Sequence, residues 1–190
     1  MSYVTDKRER LIGSARDLFH QQGFQQTSLA QIAQKANVPL GNVYYYFKTK
    51  EIIGTVVLDG YFQWFSDLTE QWEQETNPKQ RLHKMLDMVN SMADTTAKYG
   101  CPIGTLIQEL SNTEMALTDK VDMFLQKQIN WVQNQFRLLD IADATDFGIK
   151  FIATLQGTFI IAQSLHDPNV ITRQIQFIRE WLDSGLTECN

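Results

Sequence analysis

The chain has 190 residues, of which 43% are hydrophobic and 21% charged, values that exclude a disordered, collagen-like or disulfide-scaffold protein. Its formal net charge of −5 points away from a nucleic-acid partner when taken over the whole chain. Taken by segment, the charge points the other way.

Residues 1–50 carry seven basic and three acidic side chains, a net of +4, whereas the remaining 140 carry ten and nineteen, a net of −9. A basic head on an acidic body implies an anionic partner for the head alone. The opening Met1–Arg8 lacks the apolar core of a secretory signal. No uncharged run of about 18 apolar residues is present to span a bilayer. The two cysteines, Cys101 and Cys189, are too few for a metal cluster. The expected compartment is the reducing cytoplasm, with no membrane partner.

The first helix begins near Asp6, with Thr5 placed to cap it, and runs through the stripe Leu11, Ile12, Ala15, Leu18 and Phe19 to Gly23. Ser28 and Gln31 have capping-box spacing for a second, short helix with Leu29, Ile32 and Ala33 inward. Asn37 tolerates left-handed dihedrals and Pro39 forbids continuation, so the chain breaks there. A third helix covers Leu40 to Tyr46, and Thr49 is placed to cap a fourth from residue 50 to about 75. A longer helix followed by two short ones across a tight turn describes a helix-turn-helix unit. Further helices are expected from Asn77–Pro78 to Gly100, Pro102 to Leu110, Thr113 to about Leu139, Asp143 to His166 and Pro168 to Leu186. No strand alternation, repeat or linker interrupts them. The class is all-α: a head at 1–52, with its recognition helix at about 39–46, and a helical body at 53–190.

A helix that reads DNA needs short or planar side chains toward base edges and flanking donors for phosphates. Gly41 lets the backbone approach closely, and Asn42 can pair with a base edge. Tyr44, Tyr45 and Tyr46 are successive, so about 100° apart, and at least one must face outward. Lys48 and Lys50 add cationic contacts. Thr27 and Ser28 stand at a helix start, where anions bind. Together, Gly23-Phe24, Thr27-Ser28, Ile32-Ala33, the run from Val38 to Phe47, and Lys50-Glu51 resemble, in order and spacing, the N-terminal motif of TetR-type transcriptional regulators.

The resemblance covers roughly the first 55 residues. It implies a C-terminal domain for ligand binding and dimerisation, and a homodimer on a palindromic operator of double-stranded DNA. It also implies phosphate contacts by Thr27, Ser28, Tyr45 and Lys50. Pro39, Leu40, Gly41, Asn42 and Tyr44 would lie at or near the bases. Two positions depart from the family pattern: Leu40 stands where a basic or polar residue is frequent, and Asn37 replaces the turn glycine.

The body is rich in aromatics and methionines, which line adaptable apolar cavities or simply pack. With the family's effector site in view, the candidate ligand-binding residues are Trp64, Phe65, Met88, Met92, Leu106 and Trp131, with Asn90 and Gln108 as polar anchors for a small hydrophobic or aromatic effector. Cys101, in Tyr99-Gly100-Cys101-Pro102-Ile103-Gly104, is similar to a Gly-Cys-x-x-Gly turn found in a subgroup of the family. It is either an inert small residue or a sensor thiol for redox or electrophile signals. The last two helices carry Ile149, Ile152, Ala153, Gly157, Ile160 and Ile161, then Ile175, Ile178, Trp181 and Leu182. These stripes suit a monomer core or an interface, and the resemblance favours a four-helix dimer seam.

A small all-α enzyme is the rival class. His20, His83 and His166 lie on separate segments, and no phosphate loop, nucleophile elbow or dinucleotide fingerprint is present. No catalytic residue, metal site or cofactor is therefore assigned. A DNA-binding protein with a fully packed body and no ligand is the third reading.

Overall fold

The computed structural model describes residues 3–110 and 116–184, and these are all-α. The helices are α1 (Tyr3–Gln22), α2 (Leu29–Lys35), α3 (Leu40–Tyr46), α4 (Lys50–Glu73), α5 (Pro78–Ser91), α6 (Ala93–Tyr99), α7 (Pro102–Leu110), α8 (Ala116–Leu138), α9 (Ala144–Leu165) and α10 (Asn169–Asp183). Among the described residues no helix is long and apolar enough to cross a membrane.

Two compact units share these helices. The first comprises the described parts of Met1–Phe65 and Pro102–Phe124, the second those of Ser66–Cys101 and Leu125–Asn190. The first unit thus holds the head together with α4 as far as Phe65, α7 and the start of α8. Its core holds Leu11, Ala15, Phe19, Phe24, Ile32, Val43, Phe47 and Ile53 together with Leu106, Leu117 and Phe124. Gly54 marks how tightly these pack, since a Cβ there would lie 2.9 Å from Phe24 and 3.2 Å from Leu117. In the second unit, Leu82, Leu86, Val132, Phe136, Phe151, Leu155, Ile175 and Leu182 are buried. Phe136, Phe147, Phe151 and Trp181 form a ring cluster with centroids 5.5–6.3 Å apart.

Several helix boundaries differ from expectation for visible reasons. α1 runs from Tyr3 and already includes Thr5, where the expected start is near Asp6. The single helix expected from Asn77–Pro78 to Gly100 is divided at Met92 (φ −102°, ψ 7°). There the Ser91 hydroxyl donates to the Met88 carbonyl at 2.7 Å, and the Met92 amide turns to Val89 at 3.1 Å instead. A serine side chain competing for an i−4 carbonyl is a sufficient cause of such a break. α6 then stops at Gly100, whose φ of +80° suits glycine and whose missing Cβ leaves room for the Gln163 carboxamide. α9 ends in a left-handed His166 cap. The expected starts and ends at Thr113 and Leu186 fall outside the described residues, as does Cys189.

One polar cluster ties α5 to α10. The Arg179 guanidinium donates to His83 Nδ1 at 3.0 Å and to Asp87 at 2.6 Å, while His83 Nε2 lies 3.1 Å from the Asp183 carboxylate. With Nδ1 accepting, the proton of a neutral His83 sits on Nε2 and is donated to Asp183.

Candidate nucleic-acid interface

Local chemistry builds α2 and α3. Ser28 caps α2 in a complete capping box: its amide donates to Gln31 Oε1 at 2.8 Å, and its hydroxyl oxygen accepts from the Gln31 amide at 3.2 Å. Ser28→Ala is therefore expected to lower thermal stability by about 1 kcal/mol, read as a shift of the melting midpoint. Asn37 takes φ +51°, and the amide of Val38 returns to Ala33 at 3.0 Å, closing the turn. Pro39 is the residue before α3, and the Asn42 amide bonds its carbonyl at 2.8 Å.

Val43 is the wholly buried anchor of α3. At about 100° per residue, Gly41 and Tyr45 then fall on the face opposite Val43, with Asn42 and Tyr44 at its flanks. Exposure follows that geometry: Tyr45 is 77% exposed, Tyr44 47% and Leu40 41%. Asn42 is half-buried, and Gly41, Pro39 and Lys48 are exposed. The Tyr45 ring is steadied by Tyr46, edge to face at 5.0 Å. A Cβ on Gly41 would meet nothing within 4 Å. The protein itself does not require glycine there.

Two residues expected to contact phosphate also have internal partners. Thr27 is 2% exposed and its hydroxyl donates to the Gly23 carbonyl at 2.7 Å, so it stitches the α1–α2 turn. The Lys50 ammonium donates to the carbonyls of Phe24 at 2.7 Å and Gln25 at 3.2 Å, and stands 4.5 Å over the Phe24 ring. Burial pulls the Lys50 ammonium below the ordinary lysine range, and the carboxylates of Glu51 and Glu109 partly offset that cost. Ser28 remains exposed at the start of α2. Glu109, which reasoning from sequence did not single out, accepts the amides of Phe24 at 2.7 Å and Gln25 at 3.2 Å.

The chain also resembles known proteins. Residues 11–53 match the family model of bacterial regulatory proteins of the tetR family. An uncharacterized HTH-type transcriptional regulator from the lacX 3′ region of Lactococcus lactis is 25% identical over 182 residues, 93% of both chains. The matched segment, residues 11–53, is thus similar to the DNA-binding part of tetR-family regulators. The HTH-type transcriptional regulator QacR of Staphylococcus aureus is 26% identical over 130 residues, which are 68% of this chain and 64% of that protein. SCO4454, a TetR-family transcriptional regulator from Streptomyces coelicolor, has the same fold with a TM-score of 0.83 at 16% identity, covering 97% of each chain.

Within the matched segment, α3 stands where the recognition helix of a helix-turn-helix belongs. The residues expected to bind an effector fall in both units. Trp64, Phe65, Leu106 and Gln108 belong to the first unit, and Met88, Asn90, Met92 and Trp131 to the second. Asn90 is exposed and accepts from the Thr172 hydroxyl at 3.0 Å, so it is not a buried anchor; Gln108 is exposed as well. Phe65 and Leu106 are buried, Phe65 with its ring 5.9 Å from Phe124. Trp131 packs on Trp72 at 5.2 Å and donates its indole N–H to Glu73 at 2.9 Å. Met88 and Met92 are half-buried. Cys101 is half-buried too, and its sulfur lies 3.7 Å from the Gln156 amide nitrogen.

Proposed function

We propose that the protein is a homodimeric, effector-responsive repressor that reads a palindromic operator through α3. The observation that carries this reading is the outward face of α3, where Gly41, Asn42, Tyr44 and Tyr45 meet solvent around a glycine the fold does not need. A duplex supplies the missing neighbour: Gly41 admits the backbone to the groove, Asn42 pairs with a base edge, and Tyr45 and Lys48 reach phosphate. Pro39 and Leu40 would touch bases or a thymine methyl, and Ser28 would reach the phosphate from α2. Thr27, whose hydroxyl holds the α1–α2 turn, and Lys50, two of whose three N–H donors go to carbonyls of that turn, would contact phosphate only through the capacity that remains.

The dimer is assigned to α9 and α10. Ile149, Ile160, Ile161, Leu165 and Phe177 are all about half exposed or more, an apolar surface that a second copy would cover. Two heads related by its twofold axis would enter successive major grooves about 34 Å apart. A small hydrophobic effector bound in the body would favour a head spacing that mismatches the operator, and release follows from that difference in affinity. We treat residues 53–190 as the ligand-binding and dimerisation part on this functional ground.

The test is binding of the full-length protein to the duplex upstream of its own gene. Specific binding is expected, with an affinity that falls steeply as salt rises, because phosphate contacts release counterions. Equal affinity for a scrambled duplex across the salt range would contradict the reading.

A further inference from the structure

The turn between α1 and α2 is held by charged side chains from two other helices, and we propose that Glu109 of α7 is a positioning residue for DNA reading. The proposal rests on the regulator reading above. Phe24 and Gln25 lie in a turn in which, besides these charged side chains, the Phe24 carbonyl accepts the Thr27 amide at 3.2 Å. Both amides go to one Glu109 oxygen, at 2.7 and 3.2 Å, and both carbonyls go to the Lys50 ammonium, also at 2.7 and 3.2 Å. Four backbone groups of two residues are thus gripped by one acid and one base. Hydrogen bonds of this charge-assisted kind are roughly twice as strong as neutral ones.

Gly23 completes the clamp. Its φ of +88° suits glycine, and a Cβ there would collide with the Glu109 carboxylate. The grip passes on toward the reading helices through short links. The Gly23 carbonyl accepts from Thr27, and Gln22 donates to the Thr27 hydroxyl at 3.2 Å. Thr27 directly precedes the Ser28 cap, so the turn sets where α2 starts, and α2 packs on α3. Glu109 is 85 positions from Phe24 in sequence and lies outside the segment 11–53 that the family model matches.

The sign of its effect separates this role from a bland one. A carboxylate on a basic head repels phosphate, so an acid without a structural role would improve binding to any duplex when removed. A positioning acid does the reverse for the operator alone. The experiment compares wild type, Glu109→Ala and the near-isosteric Glu109→Gln by fluorescence anisotropy, on the upstream duplex and on a scrambled duplex of equal length. Glu109→Ala is expected to weaken specific binding about tenfold while scrambled-duplex binding stays equal or tightens. Glu109→Gln, which keeps a carbonyl acceptor, should recover part of the loss and carries the comparison if the alanine variant does not fold. Hydrogen exchange of the wild-type protein supplies a readout that needs no variant: the Phe24 and Gln25 amides should be protected.

Unchanged or tighter specific binding by the folded variants overturns the proposal. So does exchange of those two amides at the rate of an open turn. A wild-type protein that does not prefer the upstream duplex overturns the regulator reading instead, and amide exchange then decides the clamp alone.

Discussion

Ile160→Glu is expected to turn the dimer into monomers and to weaken operator binding by two orders of magnitude or more. Ile160 is 56% exposed on α9, one turn-multiple along the helix from Ile149 and Ala153, which are exposed as well. The opposite face of α9 carries Ile152, Leu155, Phe159 and Ala162, all buried in the unit's own core. The substitution therefore leaves the core intact, and far-UV circular dichroism should be unchanged. In a twofold seam the charge would be buried twice, once from each copy, and a desolvated carboxylate without a partner costs several kcal/mol. Gly157, on the same helix, has nothing within 4 Å of a built Cβ, which leaves room for a second helix to approach. Loss of the dimer removes the second head, and linked binding of two heads contributes a factor of about 10² to 10⁴. Sedimentation velocity with anisotropy on the upstream duplex checks both parts. A variant that sediments as a dimer and binds like wild type would place the seam elsewhere.

What was legible in the sequence was the chemistry of near neighbours. The capping box at Ser28, the left-handed Asn37, the span Leu40–Tyr46 and the Pro102–Leu110 helix each follow from residues within a few positions of one another. The basic head could be read from charge alone. Direction was harder: Thr27 and Lys50 have the right chemistry for phosphate, but the fold brings backbone carbonyls nearer to them. For Lys50 those carbonyls lie 25 and 26 positions away. Glu109 gave no local sign at all, since its partners are the amides of a distant turn. The same limit affects the effector residues. Asn90 follows directly on buried Val89 and, at about 100° per residue, falls between Leu86 and His83 on the same face of α5, yet it is exposed and accepts from Thr172 of α10. A helix known only by its composition does not say which of its aromatics or amides look inward. The break at Met92 is intermediate: Ser91 was visible, but its hydroxyl could have faced water.

Gly41→Ala is the substitution whose two effects should run in opposite directions. Glycine within a helix is less stable than alanine by roughly 0.5–1 kcal/mol, because it orders a freer backbone. The φ of Gly41 lies outside the left-handed region, and an added methyl group meets no atom of the protein within 4 Å. On stability alone the alanine variant should therefore melt higher. Its neighbours in space are Tyr45, one turn on, and the open side of α3, where Asn42 and Tyr44 flank it. If that side faces a major groove, the methyl group enters the space the duplex occupies, and the helix must back away by a few tenths of an ångström. Hydrogen bonds from Asn42 then lengthen, and a paired base contact is worth about 1–3 kcal/mol. Specific binding should weaken by about tenfold or more, while scrambled-duplex binding, carried by phosphate contacts, changes little. Calorimetry and anisotropy on the same sample read both effects. A variant that gains stability and keeps full operator affinity would mean that α3 meets DNA by another face, and Tyr45, the most exposed ring on the helix, would then need a different partner.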